Sequence, residues 1–201
     1  MEFLWKKPYL VVLVAIIVVA QVSCSNGCFK EEKEALLNFK AIYANESSLP
    51  SWVDDHDPKT NCCAWDYITC DSSSGHVIHL SLKSLNKHVD PGFDRLCSQT
   101  TPLNWSLFLT FKEITTLDLS NNCFDAILLN HENKSKSTLK KLETLDLTSN
   151  FLNESIMELM SSLPSLKNFI LRNNDIGEPF YTKGMNVGNS AFRTWNLILR
   201  F

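Results

Sequence analysis

One pattern, L-x-x-L-x-L-x-x-N, recurs three times in tandem along this chain: ITTLDLSNNCF from Ile114, LETLDLTSNFL from Leu142 and LKNFILRNNDI from Leu166, with Phe169 and Phe124 as apolar substitutes. Its Asn positions, Asn122, Asn150 and Asn174, lie 28 and then 24 residues apart. A unit of that length cannot bury its own leucines, so each copy must stack on the next to make a core. In L-x-L the two leucines point to one side of a short strand and the residue between them to the other, because the strand period is 2. The Asn turns the chain, its amide satisfying backbone groups that the curving coil leaves unpaired. A weaker copy, VIHLSLKSLN from Val77, keeps the strand half and carries Leu85 where Asn is expected.

This period is that of leucine-rich repeats, and it predicts an α/β solenoid with short parallel strands, one degenerate and three clear repeats across 76–184. The stretch before them differs in composition. Residues 30–44, KEEKEALLNFKAIYA, place Leu36, Phe39 and Tyr43 at i, i+3 and i+7 behind acidic residues, the pattern of an amphipathic helix lying on the solenoid end. SLPSWVDDHDPKTN then reads as turn and loop, broken by Pro50 and Pro58. Residues 25–75 are thus expected to form an N-terminal cap. The insertion NKHVDPGFDRLCSQTTPLNWS, too long for an ordinary turn, reads as an exposed loop tied down at Cys97. Residues 185–201 are expected to fall outside the repeats, leaving the last coil uncovered, as in a truncated larger protein.

The first residues set the compartment. MEFLWKKP carries Lys6 and Lys7 ahead of the apolar run LVVLVAIIVVA, and small residues follow at Ser23, Cys24 and Ser25. Residues 1–24 therefore read as a signal peptide cleaved near Cys24, with an uncleaved anchor as the alternative. The run is broken by Gln21 and is shorter than the ~20 apolar residues a membrane span needs. Six cysteines remain after cleavage: Cys28, Cys62, Cys63, Cys70, Cys97 and Cys123. Four sequons, at Asn45, Asn104, Asn133 and Asn153, are expected glycosylation sites in an extracellular chain. A net charge of -3, spread without a basic stripe, argues against nucleic-acid partners.

The order EALLNFK, LPSW, CCAWDYITC, GHVIHLSL resembles the N-terminal cap of plant extracellular leucine-rich-repeat proteins, which runs roughly A-L-L-x-F-K, L-S-S-W, C-C-x-W-x-G-V-x-C. LNWSLFLTFKEITTLDLSNN and MSSLPSLKNFILRNNDI look more narrowly like receptor-like proteins, repeat ectodomains tethered by one span and lacking a kinase. The likeness covers about residues 28–186. Tyr67 departs from it, standing where many members have Gly; Glu154 and Glu178 also occupy Gly positions of the plant repeat. The resemblance implies the disulfides Cys28 to Cys62 and Cys63 to Cys70, with Cys97 and Cys123 as the leftover pair. Zinc is the competing use of Cys62, Cys63, Cys70, His76 and His79, but adjacent cysteines cannot easily both face one tetrahedral ion, and an oxidising compartment favours disulfides. No metal or cofactor is expected.

Nor is catalysis. His56, His76, His79, His88 and His131 are scattered, no Ser occupies a G-x-S-x-G elbow, and Asp54, Asp55 and Asp57 lie in a polar loop without a calcium pattern. A binding surface is the better expectation, because outward strand residues of stacked repeats align into columns on the concave face. They are His79, Thr116, Thr144, Asn168; then Ser81, Asp118, Asp146, Ile170; then Lys83, Ser120, Thr148, Arg172. Such a face suits a protein, peptide or glycan ligand. The family likeness implies a secreted or cell-surface recognition module of a receptor-like protein, sensing peptide or pathogen signals in defence or development and signalling with a co-receptor kinase. The alternative is a soluble inhibitor of wall-degrading enzymes resembling polygalacturonase inhibitors, which share the cap.

Overall fold

The computed structural model describes residues 28–45, 47–54, 60–86, 97–129, 139–153 and 155–176, together with the backbone of 196–198. The expectations for residues 1–24, His56, Asp55, Asp57, His88, His131 and Asn133 lie outside the described residues.

Each L-x-L becomes a short strand whose leucines face inward. Val77–Ser81 (β2), Thr116–Asp118 (β4), Thr144–Asp146 (β6) and Asn168–Ile170 (β7) run parallel and in register, Leu80 beside Leu117, Leu117 beside Leu145 and Leu145 beside Phe169. These four side chains are all buried, as are Leu82, Leu119, Leu147 and Leu171 at the second leucine position. One apolar cluster therefore runs from repeat to repeat. The leading L of each motif, Ile114, Leu142 and Leu166, closes the same core from below.

The turn after each strand is held by the motif Asn. Asn122 Oδ1 accepts from the N–H groups of Leu85 and Asn86 in the preceding coil, while its Nδ2 donates to the carbonyls of Leu82 and Ser120. Asn150 does the same one coil on, accepting from Asn122 and Phe124 and donating to Leu119 and Leu147. Asn174 accepts from Leu152 and donates to Leu147 and Leu171. The residue before the ladder position takes positive φ each time: Ser84 at 57°, Asn121 at 54°, Ser149 at 54° and Asn173 at 53°. Small polar residues tolerate this left-handed region better than branched ones. Leu85 fills the Asn position of the first copy and is buried instead.

In front of the repeats, the helix Lys30–Tyr43 (α1) buries Ala35, Leu36, Phe39 and Tyr43, one stripe at helical spacing. Lys40 Nζ donates to the carbonyls of Leu49 and Trp52, each at 2.8 Å, and so ties the helix to the LPSW turn. Trp52 stacks on Trp65 with centroids 5.7 Å apart and donates from Nε1 to the Asp66 carbonyl. A single turn of 3-10 helix at Cys62–Ala64 leads into Ile68–Cys70 (β1), which pairs antiparallel with β2 and forms the edge of the sheet. The strands of this sheet are otherwise parallel.

Two segments depart from the sequence expectations. The insertion read as an exposed loop carries a strand, Thr101–Asn104 (β3), and runs into a 3-10 turn, Trp105–Phe108; Leu103 and Trp105 within it, and Phe108 and Phe111 just after it, are buried. β3 pairs parallel with Phe124–Leu128 (β5) to make a second, two-stranded sheet. Aromatic burial orders the second half of a segment whose length suggested a loop. The segment 185–201 also contributes a strand, Asn196–Ile198 (β8), parallel to β7 with Asn168 opposite Asn196. Its W-N-L-I-L repeats the N-F-I-L of β7 28 residues on, the same interval as Leu117 to Leu145. A short helix, Ile156–Ser161 (α2), lies between β6 and β7.

Candidate functional site

The outward positions of the main sheet form the surface with the most regular chemistry. Strand register sets His79 beside Thr116, Thr116 beside Thr144 and Thr144 beside Asn168; two residues on, Ser81, Asp118, Asp146 and Ile170 align in the same way. Beyond the strands, N–H groups of Ser84, Asn121 and Ser149 donate to the carbonyls of Ser120, Thr148 and Arg172, which keeps Lys83, Ser120, Thr148 and Arg172 in step. At about 4.8 Å per strand, one such row extends for ~14 Å over four strands. β1 lengthens the first row, because Thr69 lies opposite His79 and is exposed; reading only the parallel repeats misses it, since an antiparallel edge strand has no repeat signature.

The rows are not uniformly available. His79 and Lys83 are exposed, and the remainder are half-buried except Ser120. Ser120 is a correction: it is 5% exposed, its carbonyl taken by Ser84 N and Asn122 Nδ2, because the asparagine turn folds over it. Asp118 Oδ1 accepts from Ser120 N at 2.9 Å and Asp146 Oδ1 from Thr148 N at 2.8 Å, so each carboxylate closes the turn after its own strand. Asn168 Nδ2 donates to Thr144 Oγ1 at 3.0 Å, a cross-strand bond within the row.

The cysteines fall into three cross-links: Cys28 with Cys62, Cys63 with Cys70, and Cys97 with Cys123, with Cα separations of 5.5, 5.6 and 5.9 Å. These lie within the span a disulfide bridges. Adjacent Cys62 and Cys63 thus serve opposite loops, one holding α1 and the other fastening β1. Sulfurs so engaged are not thiolate ligands. On the chain-entropy model the three loops contribute up to about 3.8, 2.5 and 3.5 kcal/mol.

His76, weighed as a zinc ligand from sequence, instead joins Glu32. Glu32 is 1% exposed; its Oε1 lies 3.0 Å from His76 Nδ1 and its Oε2 accepts from Val77 N at 3.1 Å. Burial holds this carboxyl above its ordinary range, against the hydrogen bonds from His76, Val77 and Phe29 that pull it down. Phe29 stacks on the imidazole at 3.8 Å between centroids. The result is a buried polar clasp from α1 to the first repeat strand, 44 residues apart. Nearby, Asp71 is held down to about 2 by bonds from the Ser73 hydroxyl and the Ser74 backbone.

Of the sequons, Asn45 and Asn153 are exposed. Asn104 is half-buried and accepts through Oδ1 from Ser106 N and Oγ at 3.1 and 2.7 Å. Among the described residues no cluster of three metal-capable side chains occurs, and no helix is long and apolar enough to cross a membrane.

A family model described as the leucine rich repeat N-terminal domain matches residues 29–71. Among curated proteins of Arabidopsis thaliana, the chain is 32% identical to Receptor like protein 21 over 181 residues, which is 85% of this chain and 17% of that protein. It is 36% identical to Receptor-like protein 9b over 162 residues, 78% of this chain and 16% of the relative. The chain thus spans about one sixth of the length of these relatives. A solved plant ice-binding protein is similar over 74% of this chain and 50% of its own, at 21% identity and a TM-score of 0.47. The N-terminal-domain match and the two receptor-like relatives bear out the resemblance to plant extracellular leucine-rich-repeat receptor-like proteins that the cap and repeat motifs carry.

Proposed function

We propose that this chain is the cap and first repeats of an extracellular ligand-recognition module of a receptor-like protein, one that perceives peptide or pathogen-derived signals in defence or development. The observation that carries this reading is the outward face of β2, β4, β6 and β7, where three strand junctions keep rows that are polar apart from Ile170 in one register. Rows of that kind present many weak polar contacts at fixed spacing to one extended partner. Residues 1–24 act as the leader and 25–75 as the cap, in which the helix and the Cys28–Cys62 cross-link cover the apolar end of the repeats. Cell-surface location and a co-receptor kinase belong to the same reading, the location being in keeping with relatives named as receptor-like proteins. In this reading the sequons at Asn45, Asn104, Asn133 and Asn153 carry sugar.

A chimera tests it: residues 28–176 replace the matching segment of a full-length receptor-like protein with a measurable extracellular response. The response is expected to change its ligand preference, and Thr144→Arg within the graft is expected to abolish the new preference. An unchanged preference, or a graft indifferent to Thr144→Arg, overturns the reading.

A further inference from the structure

We propose that Tyr67 is a stacking platform at the cap edge of the strand face and that it takes a neutral oligosaccharide; the proposal rests on reading that face as a ligand surface. Tyr67 has φ 68°, in the left-handed region. Among the described residues the other non-glycine positions at positive φ have local reasons: Ser84, Asn121, Ser149 and Asn173 recur before the ladder position, and Cys123 is cross-linked to Cys97. Tyr67 has none of these. An L-residue pays a steric cost for this conformation, because its Cβ crowds the following carbonyl, and Gly pays almost none. The ring does not recover that cost by burial, being 54% exposed. Its hydroxyl bonds to none of the described residues, and no described aromatic ring stacks on it. A strained backbone carrying a large exposed ring points to a use outside the fold.

Its position supplies the context. Ser81 N donates to the Tyr67 carbonyl at 3.0 Å, so Tyr67 lies at the register position beside the row Ser81, Asp118, Asp146, Ile170. Two residues on, Thr69 is exposed opposite His79. A cavity of about 330 Å³ adjoins Thr69 with a mixed lining: polar Asn61, Asp71 and Ser72 on one hand, Ile68 and the Cys63–Cys70 cross-link on the other.

The chemistry of the rows selects the ligand class. Their formal charges balance, Asp118 and Asp146 against Lys83 and Arg172, and both carboxylates already accept from backbone. Ile170 is the single apolar side chain in the rows, so the face lacks the apolar sockets in which a peptide's side chains would anchor. What remains is hydroxyl, amide and imidazole groups that donate and accept. A neutral sugar chain matches both parts: its flat C–H face covers an aromatic ring while its hydroxyls bond to Thr, Ser, Asn and His.

The test is calorimetric titration of the purified secreted chain with cellohexaose, chitohexaose and hexagalacturonate, alongside thermal unfolding. Binding of at least one neutral hexaose is expected, with weaker or no binding of the acidic one. Tyr67→Gly should lower that affinity by about tenfold or more while raising the unfolding midpoint, and Tyr67→Phe should stay within about threefold of the parent. Neutral hexaoses that fail to bind, tighter binding of hexagalacturonate, or Tyr67→Gly binding as well as the parent would each overturn the proposal. If the sugars fail while Thr144→Arg still abolishes the chimera's response, the ligand class is wrong and the surface reading stands. If Thr144→Arg is silent, the surface reading itself falls.

Discussion

Glu32 and His76 meet at 3.0 Å across the seam between the N-terminal helix and the first repeat strand, with the carboxylate 1% exposed and the imidazole capped by Phe29. A buried carboxylate is costly unless its oxygens are satisfied, and here both are, one by the ring and one by Val77 N. The seam is therefore polar at its centre and apolar around it, which fixes the register of helix on strand more sharply than Leu36 and Phe39 could alone.

Because burial raises the Glu32 carboxyl above its ordinary 4.5, the folded chain keeps that proton to higher pH than the unfolded chain does. The sign follows: this contribution to stability is fully present below pH 4.5 and is lost as pH rises through the folded value. Glu32→Gln keeps the shape without the titration. Urea-unfolding midpoints of parent and variant, measured between about pH 4 and pH 7, should show a downward trend in the parent that the variant lacks. Parallel curves would mean that Glu32 ionises as it does in the unfolded chain.

Asn150 has four bonds of 3.0 to 3.1 Å to backbone of two coils and is 0% exposed. Asn150→Ala strands buried N–H and C=O groups at about 1–3 kcal/mol apiece, partly relieved by relaxation, so a loss of roughly 3 kcal/mol is expected in denaturant unfolding. Lys167→Ala, which removes an exposed pair with Glu143, should cost under about 1 kcal/mol. Equal losses would show that the ladder is decorative.

The Tyr43 hydroxyl donates to the Pro102 carbonyl at 3.0 Å and accepts from Asn104 N at 2.8 Å, joining the N-terminal helix to β3. Tyr43→Phe leaves the Asn104 amide without this acceptor at a cost of about 1–2 kcal/mol. Hydrogen exchange at Asn104 should speed up in the variant while exchange at Leu117 and Leu145 stays as in the parent. A slow Asn104 amide in the variant would refute the link.

How much of this was legible depended on distance along the chain. The repeat strands, their inward leucines and their outward rows follow from a period that the sequence prints three times, and the structure keeps them in one register. The Asn ladder was legible too, since a buried amide at a turn has few other uses. The Glu32 and His76 clasp was not: Glu32 sits among acidic residues of a helix start, and nothing local distinguishes the one that turns inward. β3 was hidden by the irregular residues before it, and its partner Phe124–Leu128 lies beyond an intervening repeat strand. β8 is hidden because its copy of the pattern keeps only the L-x-L pair, Leu197 and Leu199, with Thr194 at the leading leucine position. In the sequence Tyr67 is only a departure from Gly; its positive φ gives that departure a physical meaning.

Asp146 separates stability from recognition on the outward face. Its Oδ1 accepts from Thr148 N at 2.8 Å, so Asp146→Ala removes a turn-closing acceptor and should cost about 1 kcal/mol in unfolding. Asp146→Asn retains a carbonyl oxygen at the same place and removes only the charge. If the carboxylate serves the turn alone, Asp146→Asn should match the parent both in unfolding midpoint and in the chimera's ligand response, while Asp146→Ala loses stability. A response lost in Asp146→Asn with the midpoint unchanged would instead show that the second, outward oxygen contacts ligand, and the same pair of variants at Asp118, whose Oδ1 holds Ser120 N at 2.9 Å, would show whether that contact extends to the neighbouring strand.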